Sequence, residues 1–416
     1  MTRGPVCRGV ALAATVLHAG MVQAGDTDAS VSGTVRGATG NANLDDRTAL
    51  LGGDLRLSGK LALPIAGETR IEAHGESLLS WASFDRRPLG RQIVRQAYVQ
   101  YRSERVDLTI GRRVVLWGTG DGFNPTSTLA GGDYRTLTYD TNGERFGTDL
   151  VQADLYMGKA LVLTAIALPG TRSTILPQGL LPPAVAAVPT RTRTGIADTL
   201  GGAIRLQYRG QGTDVSLAAH LGHATTPAYA VSVQGVPLRV LPRLLMVGGD
   251  VSRVMGPWRV VFEGAYLRYR SADVLPGFLP RDEAAGLVGV EYELPSQARI
   301  QVQLYGREYA DERAVPAPAA GLRLVNQVAY GQFGARDYGG IVTFRADLGG
   351  DATTLELAAA GSISRGGRLV NAKLKRRIDD HANAYLRIDH LDGPATSPFG
   401  SLRRNSRAML ELRVTY

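Results

Sequence analysis

Hydrophobic and polar side chains alternate along this chain with a period of two. In "GDLRLSGKLAL", Leu55, Leu57, Leu61 and Leu63 fall on one side, and Asp54, Arg56, Ser58 and Lys60 on the other. "TRIEAHGESLLSW" sets Ile71 and Ala73 against Arg70, Glu72, His74 and Glu76. "RVDLTIGRR" sets Val106, Leu108 and Ile110 against Arg105, Asp107, Thr109 and Arg113. "AIRLQYR" opposes Ile204, Leu206 and Tyr208 to Arg205, Gln207 and Arg209, and "RIQVQLYGR" and "IVTFRADL" repeat the arrangement. Alternation of this kind predicts strands with one apolar and one wet face. Past the first residues no window holds the roughly 20 apolar residues of a transmembrane helix.

The connections decide what the strands build. Tight turns are predicted near Pro64, Ser103, Gly158, Gly210, Gly256, Pro295, Gly349 and Asp379. Between them fall longer segments: 38–51, 83–92, 116–146, 171–200, 225–243, 271–283, 310–337 and 392–404, with a short exception at 364–367. Tight turns alternating with long loops are the habit of an outer-membrane barrel, turns in the periplasm and loops outside. The expectation is an all-β transmembrane antiparallel barrel of about 18 strands, or about 16 if boundaries shift. A soluble reading would bury the apolar faces in protein, yet aromatics make up only 6% of the chain. No Pro- or Ser-rich linker divides it into several sandwiches.

Both ends fit this reading. Arg3 and Arg8 precede an apolar run, Val10 to Leu17, and Val22-Gln23-Ala24 offers small residues for cleavage after Ala24. Residues 1–24 are thus expected to be an export signal and 25–416 one barrel domain. Cys7, the one cysteine, would leave with the signal, so no disulfide or thiolate chemistry is expected. At the other end, "SRAMLELRVTY" places Ala408, Leu410, Leu412, Val414 and the terminal Tyr416 on one strand face. A last strand closing on an aromatic resembles the signal read by the barrel assembly machinery. The expected location is the outer membrane of a Gram-negative bacterium.

Charge adds a second layer. Loss of Arg3 and Arg8 takes the formal net charge from +9 to +7, and almost every cation is arginine, the lysines being Lys60, Lys159, Lys373 and Lys375. The strand pattern puts a basic set on the wet face: Arg56, Lys60, Arg70, Arg102, Arg105, Arg113, Arg205, Arg209, Arg345, Lys373, Lys375 and Arg387, with Arg307, Arg407 and Arg413 beside them. Counter-charges share those faces, among them Glu72, Glu76, Asp107, Asp389 and Glu411. Opposite charges across neighbouring strands stiffen a wall. A surplus of Arg and Lys in a pore favours anions.

One stretch breaks the alternation: "VVLWGTGDGFNPTSTLAGGDYRTL", residues 114–137, in the third outside loop. Gly118, Gly120, Gly122, Gly131 and Gly132 admit positive φ and close backbone approach. Asn124-Pro125 sets a turn, and Asp121, Asn124 and Asp133 can cap loop amides. Trp117 would anchor either an interfacial belt or the loop root. Trp117, Gly118, Gly120, Asp121, Gly122, Asn124, Pro125, Thr126, Asp133 and Tyr134 are therefore the residues expected to narrow the bore. With "RQAYVQY" (95–101) and Gly111-Arg112 before it, Trp117-Gly118-x-x-Asp121-x-x-Asn124-Pro125-Thr126 resembles the pattern of a porin-like proteobacterial outer-membrane family. Its members are mostly of unknown function, and some resemble channels tied to exopolysaccharide or hydrophobic-compound passage. The resemblance spans Arg95 to Tyr134 and implies a barrel with a loop folded into the lumen. Ser127 stands where that pattern would lead one to expect Asp.

Other chemistry is thin. Gly118-x-Gly120-x-Gly122 lacks dinucleotide spacing and "GDLRLSGK" fails as a phosphate loop. No Gly-x-Ser-x-Gly elbow occurs. His220 and His223, three apart on a strand, point to opposite faces. No catalytic residue, cofactor, metal or nucleic-acid partner is expected, and the chain is not expected to be an enzyme. The sequence leads to a channel, monomeric or trimeric, for polar or anionic solutes. Rival readings are an exopolysaccharide export channel, an outer-membrane lipid hydrolase and a non-conducting scaffold.

Overall fold

The alternating segments each pair with the next segment in the chain until the last returns to the first. The computed structural model describes residues 26–40, 49–66, 68–82, 91–133, 145–176, 185, 188–190, 196–311, 320–349 and 352–415. In order come β1 (Asp26–Gly40), β2 (Ala49–Ala66), β3 (Thr69–Ala82), β4 (Arg91–Arg102), β5 (Val106–Arg113), β6 (Thr148–Met157), β7 (Leu161–Leu168), β8 (Gly201–Gly210) and β9 (Thr213–His223). A short hairpin, β10 (Ala228–Val231) and β11 (Pro237–Val240), stands apart. Then follow β12 (Arg243–Met255), β13 (Trp258–Arg270), β14 (Glu283–Glu293), β15 (Arg299–Tyr309), β16 (Arg336–Leu348), β17 (Thr353–Ser362), β18 (Gly367–Arg377), β19 (Ala382–Asp392) and β20 (Arg407–Thr415). Apart from the hairpin, they form one 18-stranded antiparallel sheet. It closes where β1 pairs with β20, Ser32 opposite Thr415 through Gly40 opposite Arg407.

Closure removes the free edges that an open sheet would expose. It also fixes inside and outside. On β20 Ala408, Leu410, Leu412 and Val414 alternate with Arg407, Met409, Glu411 and Arg413; Leu410 is 62% exposed and Glu411 1%. Exposed apolar side chains recur at every second position around the ring, as Leu108 and Ile110, Leu217 and Leu221, and Val302 and Leu304 show. Buried polar groups occupy the alternate positions. This inverts a soluble protein and matches a wall with lipid outside and water within.

The predicted turns lie at one end of the ring, which is also the end where β1 begins and β20 finishes. At the β8–β9 turn Gln211 and Gly212 both have positive φ, 49° and 72°, the geometry that suits the twist of a two-residue hairpin. Outward Trp258 and Tyr292 pack at this end with ring centroids 4.5 Å apart, where aromatic girdles meet the interface.

Two pieces of structure inside the predicted loops go beyond the alternation. Besides the β10–β11 hairpin there is a one-turn α1 (Ile196–Thr199) and an 11-residue α2 (Ala320–Tyr330) in the segment expected to be loop at 310–337. Leu322 and Tyr330 pack on a small apolar core of Ala228, Ala230, Val240 and Phe278, and Val325 packs beside it with Tyr229 and Val185. Asn326 stitches that core together. Its amide donates to the Tyr229 and Phe278 carbonyls at 2.8 Å, and its oxygen accepts the Tyr229 N–H at 2.8 Å. No helix among the described residues is long and apolar enough to cross a membrane, which says nothing against crossing by strands.

Candidate functional site: a loop across the bore and a charged wall

The segment after β5 leaves the wall and runs inward. Its root is apolar: Trp117, 5% exposed, and Leu129 pack on inward side chains of β6 to β13, including Leu150, Leu168, Leu244, Met246 and Leu267. Of the two roles open to Trp117, the structure shows the loop root; the side chain is inside the barrel and not in an interfacial belt. Arg145 secures the returning strand, donating to the Ala130 carbonyl at 3.1 Å, while Thr148 donates to the Leu129 carbonyl at 2.6 Å.

The tip reaches the far side. Around the ring β16 lies nine strands from β5 in either direction, so it is the strand opposite. A Cβ added to Gly122 would stand 3.3 Å from Ile341 of β16. Phe123 meets Tyr305 of β15 with centroids 5.4 Å apart, and Gln301 of β15 donates to Asp121 at 3.0 Å. The central tie is Glu263 of β13, 4% exposed. One oxygen accepts the N–H groups of Thr119 at 2.9 Å and Gly120 at 3.0 Å. The other accepts the Thr126 N–H at 3.0 Å and its hydroxyl at 2.8 Å. Asn124 closes the loop on itself, donating to the Trp117 carbonyl at 2.7 Å and accepting from Thr126 at 3.3 Å.

Local sequence explains this path. Gly118 has φ 86°, and a Cβ there would come within 2.5 Å of the Glu263 carboxylate. Gly120 keeps ordinary φ but is equally closed to side chains, a Cβ falling 2.5 Å from Leu287. Pro125 follows directly on the Asn124 cap and is buried. Asp133 ends the described part of the loop, with a bridge to Ile175. Tyr134 lies outside the described residues. No group of three metal-ligating side chains occurs among the described residues.

The basic set falls mostly on inward positions, and much of it is neutralised there. Glu72, 2% exposed, is ringed by Arg70 at 2.6 Å, His74 at 3.1 Å, Lys60 at 3.5 Å and Arg102 at 3.6 Å. Glu76 takes Arg95 at 2.8 Å and Arg56 at 3.2 Å. Arg102 also reaches Asp107 at 3.4 Å, and Arg205 reaches Asp250 at 3.3 Å. Lys373 pairs with Glu356 at 2.6 Å, and Arg307 grips Glu283 through two nitrogens at 2.7 and 2.9 Å. Arg387 and Arg407 share Asp389 at 2.9 and 2.8 Å, and Arg413 pairs with Glu411 at 2.8 Å.

Five cations of the set, Arg105, Arg113, Arg209, Arg345 and Lys375, form no ion pair among the described residues. Arg209 donates only to Gln207 at 2.8 Å. Arg113 bonds Thr109 at 3.5 Å and lies 5.4 Å from the centre of the Tyr98 ring, which stacks on His74. Arg105, expected on the wall, lies instead in the exposed turn between β4 and β5. That tight turn takes up Ser103 to Arg105, whose carbonyl accepts the Tyr156 N–H at 2.8 Å. Leu410, Leu412 and Val414 face outward as the alternation of β20 requires; Tyr416, and residues 1–24, lie outside the described residues.

Sequence reasoning missed Glu263. It sits in "VVFEGAYL" as one more inward carboxylate, and nothing in its neighbours marks a partner 137 positions away. It also missed the apolar arc on β6 to β13 against which the loop root packs. The signal was present, since "LVLTAIAL" of β7 is apolar on both faces.

A closed ring of this strand number, apolar outside and ionic inside, with a loop drawn into its bore, defines the porin type of β-barrel. Comparison with solved structures agrees at the level of fold. The chain is similar to OccD3 (OpdP) of Pseudomonas aeruginosa, with TM-score 0.59 and 10% identity, over 94% of this chain and 91% of that one. Two mutants of the Rhodopseudomonas blastica porin also match, each with a TM-score of 0.46 over 94% of this chain and all of theirs, at 9% and 10% identity. No family model and no curated protein matches.

Proposed function

We propose that the chain is an outer-membrane channel of a Gram-negative bacterium that passes polar, preferentially anionic, solutes through a lumen narrowed by residues 117–133. The observation that carries this reading is the hydrogen bonding of the β5–β6 loop to Glu263 and Gln301, six and eight strands around the ring from its root. A loop held there obstructs the bore along its width. What stays open is bounded by the charged arc from β16 through β20 and β1 to β5, because the apolar arc is covered by the loop root.

Anion preference follows from the wall's residual charge. Most arginines are spent on carboxylates, but on that arc Arg113, Arg345 and Lys375 are not, and Arg70 and Lys60 crowd the single Glu72 carboxylate. Rings of cations select anions in a narrow pore. On this reading the Trp117-to-Thr126 motif is shared with the porin-like family it resembles because it shapes the same inward loop. Residues 25–416 then form one barrel domain, delivered by the leader at 1–24 and recognised by the assembly machinery through Leu410, Leu412, Val414 and Tyr416. Purified protein in a planar bilayer under a potassium chloride gradient tests the proposal. Discrete channels with a reversal potential on the chloride side support it. Cation selectivity defeats the anion assignment, and absence of conductance in both the whole protein and a variant lacking 118–132 defeats the channel.

A further inference from the structure

The four bonds to Glu263 are laid out as an anion receptor, with the acidic wall residue as its ligand. Backbone N–H groups of Thr119, Gly120 and Thr126 and the Thr126 hydroxyl converge on two oxygens, all within 2.8 to 3.0 Å. Successive main-chain amides turned to one point form a concavity suited to carboxylate or phosphate. Gly118 and Gly120 are the residues whose Cβ atoms would strike the carboxylate or its surroundings. Asn124 holds the turn closed through its bond to the Trp117 carbonyl, which does not involve the wall.

We infer that residues 118–126 are a carboxylate-binding nest carried by the loop, and that Glu263, its resident occupant, is the positioning residue that latches the loop across the bore. The inference rests on the proposed role of that loop as the constriction. The nest's chemistry makes its ligand class a small carboxylate, which Glu263 supplies from the wall. Trp117 and Leu129 hold the root without Glu263, so loss of the latch frees the tip and leaves the barrel intact. Gln301 and Phe123 remain as weaker tip contacts.

Chemical rescue tests this. Glu263→Ala empties the nest and leaves space for formate; Glu263→Gln keeps the shape but replaces an acceptor oxygen with an amide that donates toward donors. Hydrogen exchange of the peptide covering residues 117–128 is followed by mass spectrometry in detergent, with formate or chloride at equal ionic strength. Burial of three amides without an acceptor predicts exchange faster by roughly 10- to 100-fold in Glu263→Ala, and faster also in Glu263→Gln. Formate, and not chloride, slows it again in Glu263→Ala, while Glu263→Gln, its nest filled, does not respond. Unchanged exchange in both variants, or rescue by chloride as well as formate, overturns the inference. Conductance measured on the same samples separates the two claims. If exchange behaves as stated but conductance does not rise in Glu263→Ala, the latch stands and the constriction reading fails.

Discussion

At the scale of single residues, the inner wall is a set of carboxylates paired with cations, and Glu72, Glu76 and Asp389 each serve more than one. Asp389 is the clearest case. It is 4% exposed and holds Arg387 and Arg407, with Asn371 donating to it as well. Removing the charge but not the shape, Asp389→Asn, strands two guanidiniums among buried neighbours. The expected cost is about 3–5 kcal/mol, read as a lower temperature at which the folded barrel loses its compact migration on a gel. Which arginines face inward was legible within the strands, because a strand's side-chain period fixes the face once one residue is assigned; Arg105 was misplaced because it belongs to a turn, where that period does not run. Which carboxylate each would meet was not. That depends on register between strands, and on bends such as the shift at Glu76–Ser77 that brings Arg95 to Glu76.

At the scale of elements, the loop and the rim behave as separate packing units. Trp117→Ala takes the largest apolar side chain out of the loop root, for an expected loss of about 3–5 kcal/mol, followed by the same gel assay and by new protease cleavage between 118 and 133. In the rim, Asn326→Ala leaves the Tyr229 N–H and carbonyl and the Phe278 carbonyl without that partner, at about 1–3 kcal/mol for each group left unpaired. Proteolysis of the β10–β11 hairpin should rise while the barrel's melting is unchanged. Burial also drives the phenols of Tyr330 and Tyr229 above their ordinary 10.0, the Arg239 charge opposing the shift at Tyr229. The folded rim favours the neutral phenol, so this stability is full below pH 10 and declines as pH rises beyond it. Hairpin proteolysis measured from pH 8 to pH 11 should therefore increase only at the alkaline end. The loop's presence was legible from its glycines and Asn124-Pro125, whereas α2 was hidden. Its apolar positions, Leu322, Val325 and Tyr330, repeat too few times to stand out from a loop.

At the scale of the whole molecule, strand number and the alternation of turns and loops were written in the sequence, since period two and turn residues are local signals. The lumen's asymmetry was not. A wet wall is expected at every inward position, yet β6 to β13 carry leucine, methionine and alanine inward because the loop root covers them. The inner wall left uncovered by the loop root is accordingly charged along one arc. Reversing two of its unpaired cations together, Arg345→Glu with Lys375→Glu, should move the reversal potential toward cations with little change in barrel stability, because neither side chain forms an ion pair within the described wall. All of this depends on the direction each strand face points. Single cysteines placed at Leu206 and at Gln207, in a Cys7→Ser background and reconstituted into lipid vesicles, interrogate adjacent positions on β8 with a charged, membrane-impermeant thiol reagent. The structure predicts rapid labelling at 207 and protection at 206, with quenching by brominated acyl chains only for a fluorophore at 206. Equal labelling at both positions, or protection at 207 and reaction at 206, would contradict it.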